Sequence, residues 1–104
     1  MLDIDFFKRV NDTFGHGAGD DVIEHVGKCI QAEVSTTDKV VRFGGEEFVV
    51  LLRETDLGNG FPLAERLRQQ ISGGAIEARG KKIVGVTASV GLAMAHRTTV
   101  TQPT

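Results

Sequence analysis

The chain contains no tryptophan and no tyrosine, only two prolines and a single cysteine. One thiol, Cys29, rules out an intrachain disulfide and fits a reducing cytoplasm. No apolar run approaches the roughly 20 residues that a membrane-spanning helix needs, and no secretory signal pattern is visible. An excess of positive charge is also missing: 12 Lys and Arg stand against 14 Asp and Glu, a formal net charge of −2. That balance gives no general attraction to nucleic acid or to an anionic membrane, and no basic stripe marks a nucleic-acid binder. Ser-His-Asp and Cys-His nucleophile arrangements, a Walker-type phosphate loop and zinc-ligand spacings are absent as well. Hydrolysis through a covalent intermediate is therefore not supported.

What is present is the composition of an ordinary globular chain, 40% hydrophobic and 25% charged over 104 residues. That suffices for one small domain, or part of one, with a modest core. Residues 1–5, Met-Leu-Asp-Ile-Asp, alternate apolar and acidic side chains as the end of a strand does. The run from Asn11 to Gly19 is rich in turn residues and reads as irregular. A helix then opens at Gly19 or Asp20, where Val22, Ile23, Val26, Ile30 and Val34 recur at three- and four-residue spacing and define one apolar face. Asp20, Asp21 and Glu24 crowd its first turns, complementing the helix dipole.

After a polar break at Ser35–Asp38, Lys39–Phe43 and Phe48–Leu52 predict a β-hairpin that carries Gly44, Gly45, Glu46 and Glu47 at its turn. A second polar loop, Glu54–Gly60, leads to Pro62 in the first turn of another helix. The ladder of Leu63, Leu67 and Ile71 carries that helix to about Ser72, and Gly73-Gly74 stops it. Ala75–Ala78 reads as a short strand turning at Arg79-Gly80, Ile83–Ala93 as a strand or two, and the Thr-rich tail from His96 as frayed. The order strand, helix, hairpin, helix, strand predicts an α+β domain with helices on one face of a mixed antiparallel sheet.

Two acidic groups carry candidate chemistry. Asp3 and Asp5 flank Ile4, and alternation puts both carboxylates on one face. That is either a solvated strand end or a hard-cation site of the kind Mg²⁺ prefers, built from a few carboxylates plus phosphate oxygens. Glu46 and Glu47 are either exposed acids on a Gly-Gly turn or a charge pair awaiting a cation, with Gly44 and Gly45 leaving room for a phosphate. Lys8 could meet a phosphate and Asn11 a base edge, though each also reads as a plain surface residue. At least one of Phe6 and Phe7 must face the core. His16 reads as a structural hydrogen bonder, and Cys29 as a small residue near the apolar helix face.

Three blocks occur together: Asp-Ile-Asp-Phe-Phe-Lys-Arg-Val-Asn-Asp-Thr-Phe-Gly-His-Gly-Ala-Gly-Asp (3–20), Arg-Phe-Gly-Gly-Glu-Glu-Phe (42–48) and Val-Thr-Ala-Ser-Val-Gly-Leu-Ala (86–93). In order and spacing they resemble the GGDEF family, the diguanylate cyclases, over about residues 1–95. The resemblance implies a GGDEF fold related to the ferredoxin-like palm of nucleotide cyclases and polymerases. It also implies condensation of two GTP into cyclic di-GMP with release of two pyrophosphates, by a cytoplasmic protein or the cytosolic module of a larger bacterial signalling protein. By the same resemblance Asp3, the Ile4 carbonyl and Glu46 would hold Mg²⁺, with Mn²⁺ as the alternative. Glu46 and Glu47 would be the signature catalytic acids, and Phe7 and Lys8 would lie by the β- and γ-phosphates. Asn11 and Asp20 would read guanine, while Gly44 and Gly45 would admit the α-phosphate. Each domain would hold one GTP, so the active species would be a homodimer.

Departures from the family pattern carry their own expectations. Many members place an Arg-x-x-Asp product-inhibition site five residues before the glycines, but here the segment is Ser35-Thr36-Thr37-Asp38. Product inhibition through that site is therefore not expected, with Arg66 left as a secondary contact. The helix that usually precedes the first strand and the last helix with its phosphate-holding Lys and Arg have no match, so the domain reads as partial over residues 1–95, followed by a disordered tail at 96–104. Two other functions compete with catalysis: a non-catalytic module binding GTP or cyclic di-GMP, and a fragment acting only in dimerisation.

Overall fold

The computed structural model describes residues 1–53 and 55–94, so the tail from His96 lies outside the described residues. The element order is β1 (Leu2–Ile4), α1 (Phe7–Phe14), α2 (His16–Glu33), β2 (Lys39–Arg42), β3 (Glu47–Leu51), α3 (Leu57–Ser72), β4 (Ile76–Ala78), β5 (Lys81–Ile83) and β6 (Ala88–Val90). Four strands form a sheet in the order β2-β3-β1-β6, and β4 and β5 form a separate hairpin. All these pairings are antiparallel.

Short β1 lies centrally because both its neighbours match its apolar alternation. Leu2 stands opposite Phe48 on one side and Val90 on the other, and Ile4 stands opposite Ala88. These inward residues meet Val22, Ile23, Val26 and Ile30 of α2 and Leu67 and Ile71 of α3 in one core. Full burial of such a side chain stabilises by about 1.5–3 kcal/mol, and Val22, Val26, Ile30 and Ile71 are wholly enclosed. The far end of α2 is tied to α3 by Glu33, which accepts hydrogen bonds from Arg66 Nε at 3.0 Å and Gln70 Nε2 at 2.7 Å.

The predicted irregular run Asn11–Gly19 is in fact helical on both sides of one residue. Asn11–Phe14 close α1, and His16–Gly19 open α2 earlier than the expected start at Gly19 or Asp20. Only Gly15, at φ 92° and ψ 162°, breaks the path, in a region of backbone space that glycine alone reaches easily. The other glycines are not turn residues, and packing of Ala18, Val22 and Ile23 outweighs their poor helix propensity. Helix α3 likewise begins at Leu57, inside the predicted loop 54–60, because Asp56 caps it by accepting from Asn59 N at 2.9 Å. Pro62 consequently sits in the second turn. The hairpin over 39–52 and the stop at Gly73 agree with the sequence expectations, except that Glu47 opens β3 instead of lying in the turn. The strand or two expected over Ile83–Ala93 shortens to β6 and the last residue of β5, whose Lys81–Ile83 pairs with β4.

Candidate active site

Alternation along β1 sends Leu2 and Ile4 inward and leaves Asp3 on the outer face, directly opposite Glu47 in the register of β1 and β3. The neighbouring backbone bond runs from Ile4 N to the Glu46 carbonyl at 3.1 Å, so the end of β1 is stitched to the glutamate turn. Like charges opposed across strands destabilise a sheet. Among the described residues, no Lys, Arg or His forms an ion pair with Asp3, Glu46 or Glu47. The turn therefore holds carboxylates without an ion-pair partner among the described residues.

The turn is held from both sides. Phe48 is buried, anchoring β3 in the core one residue beyond Glu47. Arg42 reaches back over the turn, donating from Nη2 to the Gly45 carbonyl at 2.8 Å and from Nε to the Gly44 carbonyl at 3.4 Å. Gly44 faces the Glu47 carboxylate so closely that a Cβ would collide with it, whereas Gly45 faces open space. Ser89, the partner of Asp3 on β6, donates to Asp5 Oδ1 at 2.7 Å, which places Asp3 and Asp5 on one face. Thr87 Oγ1 donates to Asp5 Oδ2 at 2.9 Å, so Asp5 is held by β6 and its approach while Asp3 faces Glu47.

The remaining candidates lie on α1 and the start of α2. Phe7 is buried and Phe6 is exposed at φ 54°, with Arg9 stacked 5.3 Å from its ring. Lys8 is exposed and pairs with Asp12 at 3.2 Å. Asn11, half-buried, lies over Gly19, where a Cβ would run into its side-chain amide. Asp20 follows directly and is exposed. Thus Asp3, Ile4, Glu46 and Glu47 form one group with Gly44, and Phe7, Asn11 and Gly19 form another from which Asp20 projects.

Among the described residues, no three His, Cys, Asp or Glu side chains gather closely enough to hold a metal unaided. A pair of carboxylates with a strand-end carbonyl could hold only a hard cation that completes its shell with phosphate oxygens and water. Sequence reasoning did not assign Arg42, although it stands inside the motif. Nor did it foresee Thr87 and Ser89, whose hydroxyls find Asp5 only through sheet pairing.

The segment Ser35–Asp38 is closed by its own hydrogen bonds and tied to Arg53. Asp38 accepts from Ser35 N at 2.9 Å, Ser35 Oγ at 3.1 Å and Arg53 N at 2.9 Å. The backbone bonds from Arg53 and Ser35 hold its carboxyl below the ordinary aspartate range. Arg66, the expected secondary contact, is engaged with Glu33.

Diguanylate cyclase A of Treponema denticola is 47% identical over 92 residues, covering 88% of this chain and 24% of that protein. The response regulator PleD of Caulobacter vibrioides is 42% identical over 93 residues, covering 88% of this chain and 20% of its own length. The chain thus spans about a fifth to a quarter of these relatives. The crystal structure of the GGDEF domain of DgcB from Caulobacter crescentus, solved in complex with c-di-GMP, superposes with a TM-score of 0.79 at 32% identity, covering 85% of this chain and 53% of that one. The family model described as "Diguanylate cyclase, GGDEF domain" matches residues 1–103. With that match over nearly the whole length, and with Gly44-Gly45-Glu46-Glu47 in its hairpin, the chain belongs to the GGDEF family.

Proposed function

We propose that this chain is the GTP-binding core of a diguanylate cyclase, condensing two GTP into cyclic di-GMP with release of two pyrophosphates. The single observation that carries the reading is the opposition of Asp3 and Glu47 across paired strands, beside the Glu46 turn and without a cationic partner among the described residues. A sheet keeps such a pair at a cost in stability, and a bound cation reverses its sign. Asp3, Glu46 and the Ile4 carbonyl would hold Mg²⁺, or Mn²⁺, which when bound neutralises triphosphate charge.

The chain's own groups do the rest. Gly45, open to solvent, lets the turn approach the α-phosphate, and Arg42 keeps the turn's carbonyls fixed as it does so. Lys8 must leave Asp12 to meet a phosphate, an easy exchange for an exposed i,i+4 pair worth about 0.3–0.5 kcal/mol. Asn11 and Asp20 present an amide and a carboxylate, complementary to guanine's N1–H and exocyclic amine with its O6 or N3; adenine lacks that donor pair. Glu47 stands as a supporting or proton-accepting acid. Each domain holds one GTP, so condensation takes two copies facing each other. The Ser35–Asp38 segment offers cyclic di-GMP no arginine, and its Asp38 carboxylate already accepts three hydrogen bonds, so inhibition by product at that site is not expected.

The reading is tested by titrating GTP and ATP with and without Mg²⁺. The wild-type chain binds GTP in preference to ATP, and Mg²⁺ strengthens that binding. Asp3→Asn removes the Mg²⁺ effect, and Asn11→Ala narrows the base preference. Equal binding of both nucleotides, or a Mg²⁺ effect that survives Asp3→Asn, would overturn the assignment.

A further inference from the structure

The start of α2 is poorly built as a free helix end. Gly15 caps it without any side-chain hydrogen bond, and Gly17 and Gly19 fall in its first turn. Yet this turn leads directly into Asp20, which the proposed function assigns to guanine, and the inference below rests on that reading. Something outside the helix must hold it still.

One side is held by Asn11, packed on Gly19. The other side is held by the tip of the β4–β5 hairpin. Arg79 and Gly80 occupy that tip with φ 52° and 77°, the paired left-handed geometry of a type I′ turn. Arginine at the first of these positions is unusual, since asparagine or glycine fits there with less strain. Its backbone N–H donates to Asp21 Oδ2 at 3.0 Å, and its guanidinium Nε lies 3.4 Å from the same oxygen. One helical turn earlier, a Cβ at Gly17 would fall 2.7 Å from Arg79 Nε. Gly17 and Asp21 are i and i+4, so the guanidinium lies along one face of the first turn while Asp20 projects from the next. The two glycines of His-Gly-Ala-Gly-Asp are therefore two clearances, one for Arg79 and one for Asn11.

We propose that Arg79 is a positioning residue for guanine recognition: braced on Gly17 and Asp21, it holds the first turn of α2 so that Asp20 meets the base. It touches no part of the nucleotide itself. Arg79→Gly separates this role from the turn, because glycine accepts the left-handed backbone and keeps the N–H bond to Asp21 while the guanidinium is lost.

The test compares wild type, Arg79→Gly and Asp21→Ala, with GTP and with ITP, which lacks the exocyclic amine. Arg79→Gly raises KM for GTP about five- to tenfold with kcat changed less than about twofold, and narrows the preference for GTP over ITP. Asp21→Ala does the same, and the double variant is no worse than the weaker single one. Amide exchange at residues 17–21 quickens in each variant. A KM within twofold of wild type, or a loss of thermal stability with KM and the ITP ratio unmoved, overturns the proposal. Should wild type bind GTP without making cyclic di-GMP, the cyclase reading falls and the same comparison of dissociation constants decides the role of Arg79. Wild type that binds no guanine nucleotide overturns both.

Discussion

Alanine at Gly19 and alanine at Gly27 should move stability in opposite directions, although both glycines lie in α2. Replacing glycine by alanine inside a helix gains up to about 1 kcal/mol from propensity alone. At Gly27 the new methyl would sit 3.7 and 3.9 Å from Phe48 ring atoms, ordinary van der Waals contact, so the gain is kept. At Gly19 it would overlap the Asn11 amide oxygen and lie 3.1 Å from Phe7 Cζ, with Phe7 itself buried. Overpacking of this kind costs about 1–3 kcal/mol, and that is the expected gap between the two variants. For a domain of this size the gap is on the order of 10 °C in midpoint, at about 4–8 °C per kcal/mol. The Asn11 amide must also swing aside, and losing one hydrogen bond to a base should weaken GTP binding by about two- to thirteenfold, for about 0.5–1.5 kcal/mol. Urea denaturation and GTP titration of both variants measure these effects. Gly19→Ala as stable as Gly27→Ala, with GTP binding unchanged, would refute the packing argument and the place given to Asn11.

Other expectations follow from single contacts. Asp38 has its carboxyl lowered by the backbone N–H groups of Arg53 and Ser35, so it contributes stability above its unfolded value near pH 3.9 and loses it as pH falls below that value. Stability of Asp38→Asn should fall less steeply than wild type across that acid range in denaturation curves. Asp5→Ala removes the acceptor of Thr87 and Ser89 and should cost about 1.5–3 kcal/mol, less any relief from solvent at this half-exposed site, as read by thermal melting. Burial raises the Cys29 thiol above its ordinary value, so it should react slowly with a disulfide reagent at pH 8 and quickly once the chain is unfolded. Cyclic di-GMP should not slow the reaction, because Ser35 offers no guanidinium and Asp38 is engaged with Ser35 and Arg53; strong inhibition relieved by Asp38→Ala would refute this.

How much of this was legible in the sequence varies by residue. The hairpin over 39–52 could be read because apolar runs flank two glycines, and neighbours along the chain pair with each other. The start of α2 could not, because Gly17 and Gly19 look like turn residues until Arg79 and Asn11 are seen occupying the space they leave. The start of α3 was hidden in the same way by Gly58 and Gly60, which mask the cap at Asp56. For the site, each acidic pair was visible by itself, and the family resemblance joined them. That Asp3 faces Glu47 in register is a product of pairing between strands more than 40 residues apart, which local pattern does not carry. The hydroxyls on Asp5 belong to the same long-range class, whereas the grip of Arg42 on the glycine carbonyls is local and depends on the fold of the hairpin turn.

The central claim is that Asp3, Glu46 and Glu47 serve cyclic di-GMP synthesis. It is tested most directly by incubating the chain with GTP and Mg²⁺ and measuring cyclic di-GMP and pyrophosphate by mass spectrometry and coupled assay. The wild-type chain should release two pyrophosphates per cyclic di-GMP at a rate that rises with the square of protein concentration when dilute, and Glu46→Ala should give no product. No product from wild type with GTP bound, or product that survives Glu46→Ala, would contradict that claim.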